Sequence, residues 1–518
     1  MHSSIDVIMA LVPFVMLLAA FLVFRMEALE ASLSAWLVEF VAVLAYYRMP
    51  YLRVLQASLW GVLTIWTGFL VLYTGQIFGQ AYRSTGLLQI LLRSVESFLP
   101  SDDQRVRSLA LVTVVGGFIG AFNGFATYPV TIPGLVELGF DGFQAVTSYL
   151  AYFSWTLPFN SLFIAPNISS VATHVPVADI AHVAGLISLP LVFISLSGFL
   201  KLLGFRFFDL QTQLLLWLVW LANAAGIVLC TQIWPNEYIL MMLAGAAFSL
   251  GGLYVYVRVA AGHAAPTPAM RSVSAAGSPA DALAASPTSG GTAFRAYAPL
   301  MLGVALVLVK LIPPAGHALD ELNFSVSAWG YQPVSINIVT AAGFYIFVTA
   351  LACYPFSIRP VNIFSDLAIA SRRAWRSMAT LFVGSAMVYL MVETNQIGLL
   401  GNILAGGGKY VYAATFPIVA FLGAIAFGQG LPGNFLFSRM QVPVAPLLGI
   451  PLAVLVGIVV VIAMGPPNAL KPTQIAYSTS LADAKGREAQ IFRTCLPWQL
   501  LQLVVTAVIS VILVLIWT

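Results

Sequence analysis

Charge is what this sequence has least of. Among 518 residues, 23 are Lys or Arg, 19 are Asp or Glu and 5 are His, so charged side chains make up 8% of the chain. A soluble domain carries about 25%. A water-facing surface with so few charges would expose apolar patches far larger than soluble proteins tolerate. With 60% hydrophobic residues and a mean hydropathy of +0.94, the solvent for most of this surface is lipid. The net charge of +4 argues against nucleic acid as a partner. Cysteine is scarce as well: Cys230, Cys353 and Cys495 stand far apart, in or beside apolar segments and without CxxC spacing, which supports neither a disulfide framework nor a zinc site. There is no GxxxxGK[ST], which argues against an ATP-driven pump carrying its own nucleotide site, and no HExxH or GxSxG. These absences leave no expected metal, no cofactor and no enzyme constellation.

Long apolar runs are what is there. Crossing a bilayer core about 30 Å thick takes about 20 apolar helical residues. Runs near that length recur from 5–24 to 497–517, which predicts an all-α membrane protein of about 12–14 transmembrane helices. The first run, Ile5 to Phe24, lacks the basic n-region and the cleavage site of a secretory signal, and reads as a retained helix that also directs insertion. Between Ala260 and Thr292 the composition shifts to Ala, Pro, Ser, Thr and Gly, the signature of a flexible linker. The chain divides accordingly into an N-terminal half at 1–259, a linker at 260–296 and a C-terminal half at 297–518. The basic clusters at Arg105 and Arg107, at Arg372, Arg373 and Arg376, and at Lys485, Arg487 and Arg493 are expected to face the cytoplasm.

The runs at 108–127 and 411–428 end in glycine and proline clusters and read as broken or re-entrant helices. The first cluster is GGFIGAFNGFATYP, residues 116–129, and the second is GAIAFGQGLPGNF, residues 423–435. Unpaired backbone at membrane depth is tolerated only where protein buries it or where it lines a cavity. Interrupted segments at corresponding places in two halves point to the substrate site of a secondary transporter, and helix N-termini exposed there carry partial positive charge suited to an anion. Close helix packing in lipid is the competing reading of the same glycines. On the transporter reading the candidate binding residues are Asn123, Gly124, Tyr128, Gln429, Gly430 and Asn434. Lys471, beside two proline breaks, is either a cationic attractor for the anion or a loop lysine at the membrane surface. Glu393 and Glu39 are carboxylates within apolar runs, where charge is costly and usually functional. Glu393 is the candidate proton carrier, with a helix-end carboxylate as the alternative. A channel or a structural subunit also fits the apolar runs, and the matched broken pair favours a carrier.

Three stretches resemble one family, the L-lactate permeases, bacterial transporters of lactate and glycolate. In GAIAFGQGLPGNFLFSRMQ, Gly428, Asn434, Leu436, Phe437 and Gln441 fall in register with a family signature. In KPTQIAYSTSLADAKGREAQIFR, Pro472, Ile475, Ala476, Gly486, Arg487, Glu488, Phe492 and Arg493 match. The segment GGFIGAFNGFATYPVTIPGLVELGF is similar to the family's first glycine-rich motif when gaps are allowed. The resemblance implies a carrier of small 2-hydroxymonocarboxylates in the inner membrane of a bacterium, coupled to a proton or cation. This chain departs from the pattern by having Asn123 or its neighbours, and Gly430, where family members usually carry acidic residues, which leaves another small organic anion as the alternative substrate.

Overall fold

The structure is a computed structural model that describes residues 4–22, 24, 26–99, 101–261, 290–331, 333–426, 430–482 and 484–518. The C-terminal helix, Glu488–Trp517, shows which solvent surrounds it. Gln499, Gln502, Thr506 and Ser510 are fully buried, whereas Leu501, Val504, Val508, Ile512 and Leu515 are exposed. Positions three and four apart share a helix face, so the polar stripe looks inward and the apolar face outward, the reverse of a helix at a water surface. The inward stripe is bonded across helices: Gln502 Nε2 donates to Ser154 Oγ at 2.9 Å and to Ser195 Oγ at 3.1 Å. A buried amide needs such partners in lipid, where water supplies none.

Helices α1 (Ser4–Leu22) and α2 (Ala28–Ala45) pair at the periphery, and two units of similar order and opposite direction follow. In the first, α3 (Tyr51–Thr64) bends by 51° into α4 (Trp66–Ser84), and a short α5 (Leu87–Phe98) comes next. Then α6 (Gln104–Phe122) runs inward and α7 (Tyr128–Glu137) returns to the same face. The α8 helix (Gly142–Thr156) runs inward again, breaks at 157–159 and continues as α9 (Asn160–Thr173) to the far face, from which α10 (Val177–Leu202) crosses back. The units are joined by α11 (Leu210–Ile233), α12 (Met241–Ala261), α13 (Gly290–Leu311), a short α14 (Pro313–Asp320), a two-stranded antiparallel hairpin and α15 (Ala342–Ala352). The hairpin strands are β1 (Phe324–Val326) and β2 (Val334–Ile336), with Phe324 opposite Ile336. The second unit repeats the first upside down: a long α16 (Ile363–Glu393), a short α17 (Gln396–Ala405), an inward α18 (Lys409–Ala426) with a returning α19 (Gly430–Leu448), a broken pair α20 (Leu452–Met464) and α21 (Pro472–Thr479), and a crossing α22 (Glu488–Trp517).

Contacts fix the hairpins. Gln104 Nε2 at the start of α6 donates to Leu138 O, just beyond the end of α7, at 2.9 Å, and Gly134 on α7 lies against Leu111. In the second unit Tyr412 Oη donates to Gln441 Oε1 at 2.8 Å, and Gly423 lies against the Phe437 ring. The two glycine-rich clusters are therefore the tips of two re-entrant hairpins that enter from opposite faces, the arrangement of inverted-repeat transporters.

The basic clusters all collect at one face. Arg487 sits 4.2 Å over the Phe143 ring, Gln144 reaches Leu203, and Arg105 bonds Asp103 and Asp209 at 2.8 and 2.7 Å. Helices that start there are capped by the side chains of Asp103, Asp141 and Asp209, which accept from first-turn amides. Helices that start at the other face instead follow Pro50, Pro176 and Pro451, which cannot continue a preceding helix.

The all-α membrane fold with broken and re-entrant helices is the one expected, and two details of it change. Among the described residues, seven helices are long and apolar enough to cross alone, eight if the bent α3–α4 pair is one span. Of the other predicted segments, those at 5–24, 28–47 and 297–313 are the continuous helices α1, α2 and α13, while those at 143–165 and 411–428 are a broken pair and a hairpin arm. The run at 334–352 is not one helix: Val334–Ile336 forms a strand and the helix starts at Ala342. Of the linker placed at 260–296, residues 262–289 lie outside the described residues, and 290–296 already belong to α13. That helix extends beyond its apolar run because its first turns have partners: Tyr82 Oη donates to Ala296 O at 2.9 Å, and Ser94 and Tyr297 share a 2.8 Å hydrogen bond.

Candidate anion-binding site

Each hairpin and each broken pair has a second arm that starts at mid-depth. Four helix N-termini, those of α7, α9, α19 and α21, therefore begin inside the protein. They are linked by contact. Gly124 lies against Asn160, and its amide donates to Ser161 Oγ at 3.2 Å. A Cβ on residue 124 would come within 2.9 Å of Asn160 Cβ, so only glycine lets this tip touch the break between α8 and α9. Asn468 Nδ2 donates to Tyr128 Oη at 3.1 Å, which joins the first hairpin to the break between α20 and α21. Gly430, the first residue of α19, meets the same break: a Cβ there would lie 2.5 Å from Met464 Sδ and 3.5 Å from Lys471 Nζ. Aligned peptide dipoles give each N-terminus a partial positive charge, so the meeting point attracts an anion.

Lys471 adds a basic side chain, which carries a whole charge when protonated. It is fully buried and its ammonium has no partner among the described residues. A helix N-terminus and an unpaired cation aimed at it are complementary to one carboxylate. Nearby polar atoms are held in place with one side left unused. Asn434 Nδ2 donates to Ala165 O at 2.9 Å and Ser169 Oγ at 2.8 Å, while its Oδ1 has no partner among the described residues. Asn160 Oδ1 and Gln474 Oε1 are in the same condition. Buried acceptors without donors are costly, and a ligand hydroxyl would satisfy one.

Of the residues singled out in the sequence, the structure brings Gly124, Tyr128, Gly430, Asn434 and Lys471 to this junction or within one helical turn of it. Asn123 has a supporting task. Its Nδ2 donates to Gly75 O and its Oδ1 accepts from Phe125 N, so it fastens the first tip to α4 and caps the 3-10 turn Gly124–Thr127. Gln429 lies outside the described residues. Glu393 is not at the junction: it pairs with Arg53 at 3.1 Å beneath the strand hairpin, where Arg53 also lies 4.2 Å from the Tyr331 ring. Glu39 is fully buried on α2, with Oε1 accepting from Gln396 Nε2 at 2.6 Å and Oε2 without a partner among the described residues.

The break between α8 and α9 escaped sequence reading. Ser161, Leu162 and Phe163 have φ of 55°, 52° and 61°, the left-handed region, with no glycine among them. Non-glycine residues visit that region at a cost and usually singly. The available signal was Pro158 with Asn160 inside the apolar run 143–165.

Helices broken at mid-depth around a buried cation, in a bundle with an apolar exterior, define a multi-pass membrane transporter. The chain belongs to the L-lactate permease family, whose model matches residues 6–517. It is 24% identical to the L-lactate permease of Bacillus subtilis strain 168, over 97% of this chain and 94% of that protein. It is 22% identical to the glycolate permease GlcA of Escherichia coli K12, over 95% of this chain and 92% of that one. Two solved structures are similar: the Alcanivorax borkumensis YdaH transporter, at 14% identity, covering 89% of this chain and 88% of that one with a TM-score of 0.42, and Neisseria gonorrhoeae MtrF, at 13% identity, covering 94% and 96% with a TM-score of 0.42. Family membership makes the chain a transporter of small organic acids, and in a bacterium an integral protein of the inner membrane.

Proposed function

We propose that the chain carries a small 2-hydroxymonocarboxylate, L-lactate or glycolate, by alternating access and together with a proton. The observation that carries this reading is Lys471, a buried ammonium without a partner among the described residues, 3.5 Å from the Cβ position of the residue that starts α19. The carboxylate takes Lys471 and the first amides of α19, and the 2-hydroxyl donates to a free acceptor, of which Asn434 Oδ1 lies one turn along the same helix. Two cavities suit alternating access. One of about 340 Å³ opens at the strand-hairpin face and reaches Leu162 and Ile164 of the α8–α9 break, and one of about 440 Å³ opens at the basic face and reaches Phe125 of the first hairpin tip. Protein purified into liposomes takes up labelled L-lactate or glycolate and acidifies the lumen. Folded protein that takes up no small carboxylate would sink the proposal.

For the proton, geometry supports Glu39 over Glu393. Glu393 already has a cation, whereas Glu39 is enclosed by apolar helix and by one amide, the setting in which intramembrane acids act as proton relays. Gln396, its partner, opens α17, which packs on α19, so a change at Glu39 is connected to the helix that starts at the anion site. Glu39→Gln is expected to keep lactate exchange between equal pools while abolishing lumen acidification, and Glu393→Gln to keep both. Normal acidification by the Glu39 variant would remove it from the coupling path.

A further inference from the structure

We propose that Arg83 and Arg373 form a second carboxylate site, an antechamber on the basic face where the anion is held before it reaches Lys471. This rests on the reading of Lys471 given above, and concerns residues that lie apart from it. The cavity of about 440 Å³ at the basic face has Arg83, Arg373 and Ser377 on its walls, and Gln474 and Tyr477 of α21 lead inward. Gln474 is one turn from Lys471, since its backbone amide donates to Lys471 O at 3.0 Å, and the Tyr477 ring lies tilted against Tyr128 with centroids 5.6 Å apart. The cavity therefore ends against the two elements that build the inner site.

No acidic residue lines this cavity among the described residues. Arg83 Nε donates to Gly79 O at 3.1 Å, which lays its stem along α4 and leaves the terminal nitrogens without a protein partner among the described residues. Arg373 Nη1 donates to the neutral amide of Gln80 at 3.0 Å. The nearest acid in that network, Asp366, is already taken by Gln80 Nε2 at 2.9 Å, Ser84 Oγ at 2.5 Å and Tyr354 Oη at 3.1 Å. Arg376, one turn further along α16, is paired with Glu27 at the rim. Arg83 and Arg373 are thus like charges on the wall of one cavity, and among the described residues no carboxylate pairs with either to offset their repulsion. A bound carboxylate relieves it. Guanidinium presents a fork of donors that matches the two oxygens of a carboxylate, and a cationic funnel raises the local concentration of anionic substrate. The unpaired Gln474 Oε1 at the inner end offers an acceptor for a 2-hydroxyl.

The test is equilibrium binding of labelled L-lactate to purified full-length protein. Lys471→Met removes the inner site and should leave weaker, saturable binding of one lactate. Adding Arg83→Gln and Arg373→Gln to that variant should lower the remaining affinity by roughly tenfold or more, the worth of a charge-assisted hydrogen bond. Adding Arg83→Lys and Arg373→Lys should restore part of it. Circular dichroism and gel-filtration profiles equal to wild type confirm folding. Loss of all binding in the Lys471→Met variant, or residual binding indifferent to both arginines, overturns the antechamber while leaving the carrier intact. Wild-type protein that neither binds nor transports lactate overturns both.

Discussion

Lys471→Met abolishes carboxylate uptake and at the same time makes the protein harder to unfold. The two effects have one cause. Lys471 is fully buried, its Nζ lies 3.5 Å from the Cβ position of Gly430, which is itself 2.5 Å from Met464 Sδ, and it has no hydrogen-bond acceptor among the described residues. Burying an ionisable group without a partner is among the most expensive arrangements a fold can hold, and apolar replacements of buried charge are often stabilising, by about 1–4 kcal/mol. Methionine has nearly the same length and no charge, so it fills the same space beside Met464. Such a cost to stability is the expected trade-off at a functional site. Thermal unfolding in detergent, followed together with uptake in liposomes, reads both quantities. A midpoint for the methionine variant equal to or below wild type would mean that Lys471 supports the fold, and uptake by that variant at wild-type rate would remove the lysine from the site. Lys471→Arg keeps the charge, but its planar fork is wider than an ammonium and needs space that Gly430 and Met464 occupy. It is expected to retain some binding with weakened transport.

Much of this was legible in the chain, for reasons that differ from residue to residue. The lipid-facing helices were the easiest, because composition over some 20 residues decides whether a segment crosses. Val177–Leu202 and Glu488–Trp517 are found where the apolar runs put them. The hairpin tips were legible as failures of that rule: residues 116–129 and 423–435 could not continue as lipid-facing helix, and α6 and α18 end within them. Lys471 was legible because a cation beside prolines in an apolar stretch is unusual, but its burial was not. That depends on α19, whose start is 41 residues away. The direction of each hairpin, the cavity lined by Arg83, Arg373 and Gln474, and the isolation of Glu393 with Arg53 are all long-range facts. They follow from which face each helix starts at, which local sequence records only through caps such as Asp141 and breakers such as Pro176. The strand hairpin at 324–336 was hidden by the apolar residues Val334 and Ile336, which pair with β1 rather than extend the following helix.

Gly430 carries the second large effect. Its Cβ position lies 2.5 Å from Met464 Sδ and 3.5 Å from Lys471 Nζ, so any side chain grows into the gap between the α19 N-terminus and the ammonium. Gly430→Ala puts one methyl group there. The Met464 side chain is flexible enough to give way, so the variant folds, and lactate binds with a KM raised by roughly tenfold, as one carboxylate oxygen is displaced from the helix amides. Gly430→Val adds two more carbons at a position where a Cβ already meets Met464, so uptake falls to background and overpacking lowers stability by about 1–3 kcal/mol. Valine at the first position of a helix costs only a few tenths of a kcal/mol in propensity. The contrast with Lys471→Met is the informative part: one variant removes the attraction and stabilises the fold, the other leaves the charge and occupies its place. A Gly430→Val protein that transports lactate with unchanged KM would show that the carboxylate does not lie between α19 and Lys471. The anion would then have to be sought at the other junction, where Gly124 meets Asn160.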